Sequence, residues 1–182
     1  KLNIPFPEAN HAVAFLGCDQ VAVGTARGTV NVFDTASASL VCSRQVFERN
    51  NAVMAIYTTE KAGQVVLVDG QNTVELYDLL NGKGLGRFVG HEGAVQCLSI
   101  ATLKRRRLLI TAAQDRYLRI FDISTRKLLF RQFLKYIPTC LQIICDPDAA
   151  PDQSDSEDSE DEGLWEDMQI APSDKRRKVT NN

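Results

Sequence analysis

Histidine is scarce in this 182-residue chain, which has two, His11 and His91. That leaves little material for acid–base or metal chemistry. No phosphate loop of the form GxxxxGK(S/T), no HExxH and no GxSxG occurs in it. His11, just before Ala12-Val13-Ala14-Phe15-Leu16, reads as a turn residue at a strand entrance, and Gly82-Lys83-Gly84-Leu85-Gly86 reads as a turn rather than a phosphate cradle. The five cysteines, Cys18, Cys42, Cys97, Cys140 and Cys145, form no CxxC pair and are odd in number. They point to neither a zinc site nor a disulfide framework, and they fit a reducing intracellular setting. No apolar stretch approaches the roughly 18 residues of a membrane span, and no charged-then-apolar leader is visible. Helical spacing of apolar residues is missing too. These absences exclude an obvious enzyme, cofactor, metal or small-molecule substrate and leave a binding scaffold.

What the chain does have is a period. Phe33-Asp34, Tyr77-Asp78 and Phe121-Asp122 each close an apolar alternating run, and their aspartates stand 44 residues apart. At that period Gly28-Thr29-Val30-Asn31-Val32 aligns with Asn72-Thr73-Val74-Glu75-Leu76 and with Arg116-Tyr117-Leu118-Arg119-Ile120. Short alternating strands repeated every 40–45 or so residues predict an all-β repeat architecture.

The third unit carries Gly90-His91, then Val95-Gln96-Cys97-Leu98-Ser99-Ile100, then Leu108 to Asp115, and ends on Phe121-Asp122. In this it resembles the WD40 β-propeller family. The resemblance implies a hydrogen-bonded tetrad in which His91, Thr111 and Asp115 take the family's places and Phe121 stands for its Trp. Asp115 is then expected to accept a bond from the imidazole, whose other nitrogen meets Thr111. A catalytic His91–Asp115 pair is the competing reading, but the repeat already explains their spacing. The earlier units lack the set, with Phe47, Leu67 and Gln71, and before them Asn3, Val23 and Arg27, in the corresponding places.

Residues 1–145 thus read as a partial propeller with repeats at about 5–47, 48–91 and 92–135, and the first strand of a fourth at 139–145. Closed propellers have typically four to eight blades, so the chain reads as a fragment of a larger propeller, or as a partial one completed by a partner. Charge separates the remainder: seventeen Lys and Arg against eleven Asp and Glu in residues 1–145, but four against twelve in 146–182. The second segment is expected to be a disordered tail. Within it Ser154, Ser156 and Ser159 stand in an acidic run that resembles a casein-kinase substrate, the alternative being an unmodified spacer. Lys175-Arg176-Arg177-Lys178 resembles a nuclear localisation signal read by an import receptor, against a plain solvated end.

A second basic run, Lys104-Arg105-Arg106-Arg107, is placed on the loop between the first two strands of the third unit. It could meet RNA phosphates or an acidic protein surface, the chain's own tail included, with Arg116 and Arg119 as further candidates. The phrases Gly24 to Val30 and Asp115-Arg116-Tyr117-Leu118 are similar to the WD-repeat subunits of the small-subunit processome, the U3-containing particle on pre-ribosomal RNA, and above all to the member that pairs a propeller with a helical C-terminal domain. That resemblance implies a non-catalytic nuclear, nucleolar scaffold in pre-18S rRNA processing, with protein partners and the pre-rRNA/U3 particle. The alternative is a nuclear substrate-recruiting adaptor of a ubiquitin ligase or chromatin complex.

Overall fold

A computed structural model describes residues 8–103 and 106–143. The chain divides into two units, residues 1–144 and 145–182, and the described residues belong to the first. The tail positions Ser154, Ser156, Ser159, Lys175, Arg176, Arg177 and Lys178 therefore lie outside the described residues, as do Lys104, Arg105 and Cys145.

The repeat becomes three four-stranded antiparallel meanders. The first contains β1 (Asn10–Phe15), β2 (Gln20–Thr25), β3 (Thr29–Asp34) and β4 (Leu40–Gln45). The second contains β5 (Val53–Thr58), β6 (Gln64–Asp69), β7 (Val74–Asp78) and β8 (Lys83–Phe88). The third contains β9 (Val95–Leu103), β10 (Arg106–Ala113), β11 (Tyr117–Asp122) and β12 (Leu128–Phe133). No helix occurs among the described residues. Each sheet takes four strands that are consecutive in the chain, while residues 139–143, read from the sequence as part of a fourth unit's first strand, form no strand. A strand needs ladder hydrogen bonds for its N–H and C=O groups, and this segment joins none of the three sheets.

The 44-residue period survives into the hydrogen bonding. Gln20 pairs with Asp34, Gln64 with Asp78 and Leu108 with Asp122. The third and fourth strands of every sheet share a bulge just before the aromatic residue, at Val32/Phe33, Leu76/Tyr77 and Ile120/Phe121. A bulge sharpens strand twist, and the chain then turns at the aspartate. Oδ1 of Asp34, Asp78 and Asp122 accepts the N–H three residues on, from Ser37, Asn81 and Thr125, at 2.7, 3.0 and 2.8 Å. Those bonds hold the Asp34 and Asp78 carboxyls below their usual range. The motif's aspartate is thus a turn closer, and its spacing is set by local geometry.

Two turn positions need a left-handed backbone. Gly28, Asn72 and Arg116 have φ of 76°, 71° and 66°, and Ala38, Gly82 and Arg126 have 58°, 64° and 62°. A Cβ on Gly28 would lie 2.8–2.9 Å from the carbonyl oxygens of Asn51, Glu48 and Phe47. Ala38 carries the same left-handed backbone with a Cβ, and so with strain. Ala38→Gly should therefore stabilise by about 0.5–1 kcal/mol, because relief of about 1–2 kcal/mol of strain exceeds the entropic cost of glycine. Gly28→Ala should destabilise by more than about 1 kcal/mol. Thermal unfolding of the two variants gives opposite shifts if this holds.

The core lies between the sheets. Val30, Val32, Val53, Ile56, Val65 and Leu67 join the first sheet to the second, and Val66, Val68, Leu98, Leu109, Phe121 and Ile123 join the second to the third. Successive strand residues face opposite ways, so β6 sends Val65 and Leu67 to one neighbour and Val66 and Val68 to the other, and all four are buried. This is why Gln64-Val65-Val66-Leu67-Val68 is a continuous apolar run rather than an alternating one.

Candidate functional site: the polar network and basic surface of the third sheet

The turn between β10 and β11 gathers the sequence-predicted residues. His91 arrives from the segment after β8, Thr111 from β10, Asp115 from the turn and Phe121 from β11. Nε2 of His91 lies 2.9 Å from Oγ1 of Thr111, a hydroxyl with no solvent exposure. The imidazole packs against Phe121 at 5.6 Å between ring centres, and Phe121 meets Phe88 edge to face at 5.5 Å.

Asp115 departs from expectation. Its carboxylate bonds the Arg119 guanidinium through both oxygens, at 3.1 and 2.6 Å, and also accepts the N–H groups of Glu92 and Tyr117, each at 3.0 Å. The imidazole has no place in that set, and Nδ1 of His91 is buried without a hydrogen-bond partner. The physical reason is competition: a fork-shaped cation outbids a neutral ring for a carboxylate. Arg119, 1% exposed, pairs with Thr111 across the β10–β11 ladder and so points into the interior. It is therefore a structural residue and cannot be the RNA contact that the sequence suggested.

The electrostatics follow from this geometry. Burial alone would raise the Asp115 carboxyl, but Arg119 and the two N–H donors outweigh it and hold the group at about 2. Burial, and then the Arg119 charge, push His91 down from 6.5 to about 4, although the Asp115 carboxylate pulls the other way. An unfolded chain thus binds a proton at His91 between pH 6.5 and about 4 while the folded chain does not. Stability is complete above pH 6.5 and falls as pH drops through that window, by an amount on the order of 2–3 kcal/mol. Below it Asp115 protonation adds to the loss. A His91 resonance titrating near 4 would agree, whereas one near or above 6.5 would restore the imidazole–carboxylate bond.

The other sheets fill the corresponding turn differently. Oδ1 of Asp69 accepts from the N–H groups of Gln71 and Thr73, and Oγ1 of Thr25 from those of Arg27 and Thr29. Asn51 ties the preceding segment to Asp69 at 2.5 Å, much as the Glu92 N–H does to Asp115. Sequence reasoning missed these residues because they align, at the 44 period, with Ala113 and not with Asp115. The available signal was an Asx or Ser/Thr residue directly before a turn.

Half of the basic run also shifts. Arg106 and Arg107 are in β10, paired with Leu103 and Thr102, because β9 and β10 extend further than their counterparts. Arg107 reaches Gln64 at 3.4 Å and Ser124 at 3.5 Å, so it bridges the second and third sheets. A cavity of about 320 Å³ lies by the β1–β2 and β5–β6 loops, with Gln20, Glu60 and Lys61 among its walls, and holds no histidine or cysteine. Among the described residues no group of three His, Cys, Asp or Glu could hold a metal ion, and no helix is long and apolar enough to cross a membrane.

No family model matches the chain. It is 27% identical over 143 residues to a WD repeat-containing protein of Dictyostelium discoideum, covering 77% of this chain and 27% of that one. Mitochondrial division protein 1 of Mycosarcoma maydis is 35% identical over 66 residues, 36% of this chain and 8% of that protein. Kinesin-like protein KIF21A of Homo sapiens is 28% identical over 101 residues, 55% of this chain and 6% of that protein. The chain thus spans between 6% and 27% of the length of these relatives. Among solved structures, the computationally designed Ika4 protein superposes with a TM-score of 0.64 at 25% identity, covering 78% of this chain and 83% of that chain. The designed Ika8 protein gives 0.60 at 26%, covering 75% and 41%.

Proposed function

We propose that this chain is part of a WD40 β-propeller acting as a non-catalytic scaffold in a nuclear, nucleolar ribonucleoprotein assembly of small-subunit ribosome biogenesis. The observation that carries the scaffold reading is the threefold repetition of one sheet with the same register, bulge and aspartate turn, together with a relative named for its WD repeats. Rigid stacked sheets hold partners at fixed geometry on their loops and edges. The buried His91 and the Arg119-bound Asp115 serve packing and turn closure rather than proton transfer. The processome assignment draws on the sequence phrases Gly24 to Val30 and Asp115 to Leu118 and on the acidic and basic run of residues 154–178. The partners proposed are other proteins of the complex, the pre-rRNA/U3 particle, and an import receptor at Lys175–Lys178.

Purification of the tagged protein from nuclear extract, with U3 RNA and pre-18S precursors quantified before and after RNase, tests the assignment. Strong RNase-sensitive enrichment is expected. Recovery of a ubiquitin ligase or chromatin enzyme in RNase-resistant complexes, with no U3, would contradict it.

A further inference from the structure

Positive charge is concentrated in one sheet. Residues 95–145 hold ten Lys and Arg against two Asp and Glu, whereas residues 1–94 hold seven against nine. Both carboxylates of the basic stretch are engaged, Asp115 by Arg119 and Asp122 by the Thr125 N–H. With Arg119 paired to Asp115, nine cations against the still-charged Asp122 leave a net positive field that attracts polyanions.

At the β10–β11 turn those cations stand among aromatic rings. Arg131 lies 3.8 Å over the Tyr117 ring, and Arg116 lies 5.2 Å from the centre of Phe133. Tyr117 and Phe133 are cross-strand partners that meet edge to face at 5.2 Å. Phe133 is nevertheless 47% exposed, and Arg116 and Arg131 are exposed beside it. Arg116 thus flanks the Phe133 ring and Arg131 the Tyr117 ring, and the exposed part of Phe133 is aromatic surface that the core does not use.

We propose that this surface of the third sheet, built on Arg116, Tyr117, Arg131 and Phe133, binds single-stranded nucleic acid. A base stacks on Phe133, whose flat face accepts any base, and the two guanidinium groups meet the flanking phosphates. An acidic peptide would satisfy the cations but offer nothing flat to the ring, which is why a nucleic acid is favoured. The surface is separate from Arg107: the Arg107 carbonyl accepts from Ile123, six residues along the chain from Tyr117, roughly 20 Å of extended strand. The inference rests on the ribonucleoprotein reading above, to which it assigns a surface.

The test is fluorescence anisotropy of the 182-residue chain with a labelled oligouridylate about 12 nucleotides long, at several salt concentrations. Binding that weakens steeply with salt is expected. Phe133→Leu, which keeps an apolar side chain but removes the ring, should weaken it about tenfold with the circular dichroism spectrum unchanged. Arg131→Gln and Arg116→Asn, the latter suited to a left-handed position, should each lower the salt slope by about one. Phe133→Leu binding as the parent does, or an oligoglutamate peptide competing as well as the oligouridylate, would overturn the proposal. Loss of U3 recovery with oligonucleotide binding intact would count against the processome reading alone. Intact U3 recovery without oligonucleotide binding would count against this surface alone.

Discussion

Asp115→Ala is expected to cost about 3–5 kcal/mol of folding stability, as breaking a buried ion pair does when its partner charge stays behind. Arg119 would remain 1% exposed with a full charge and no carboxylate, and the N–H groups of Glu92 and Tyr117 would lose their acceptor. The double variant Asp115→Ala, Arg119→Leu removes the stranded charge as well and should recover much of the loss, because ion pairs in apolar surroundings are replaced more cheaply than they are broken. Urea denaturation of the three chains measures this. A loss under about 1 kcal/mol for the single variant would mean that Arg119 reaches solvent.

The second large effect is at Phe121. The ring is 1% exposed and sits between Phe88 and His91 in the core joining the second and third sheets. Phe121→Ala should cost about 3–5 kcal/mol through lost burial and the cavity left behind. It should also admit water to the imidazole, so the His91 pKa should rise from about 4 toward 6.5. Phe133→Ala, at a ring 47% exposed, should change stability by no more than about 0.5–1 kcal/mol. Equal losses at the two positions would contradict this division between core and surface.

Much of the architecture was legible because it is local. The aromatic-aspartate phrase at Asp34, Asp78 and Asp122 encodes a bulge and a turn that need only neighbouring residues, so a fixed spacing in sequence becomes a fixed register in space. The polar network was legible only in part. His91 and Thr111 meet as their spacing implies, but the partner of Asp115 depends on which face of β11 Arg119 occupies and on how closely the second sheet covers it. A charged residue in an alternating run reads as solvent-facing, and only tertiary packing makes it internal. Residues 139–143, within the segment expected to start a fourth unit, are not a strand, since an apolar segment becomes one only where it joins a hydrogen-bonded ladder. Phe133 and Tyr117 carried no signal in the sequence, and only the exposure of Phe133 beside Arg116 and Arg131 shows a surface.

The central claim is that the third sheet is the nucleic-acid-contacting part of a non-catalytic repeat scaffold. Ultraviolet cross-linking in intact cells, followed by mass spectrometry of the nucleotide-bearing peptides, tests it most directly. The account predicts RNA adducts on peptides containing Tyr117 or Phe133, lost in the Phe133→Leu chain. Adducts confined to the first two sheets, or none in a protein recovered intact from the same cells, would contradict it.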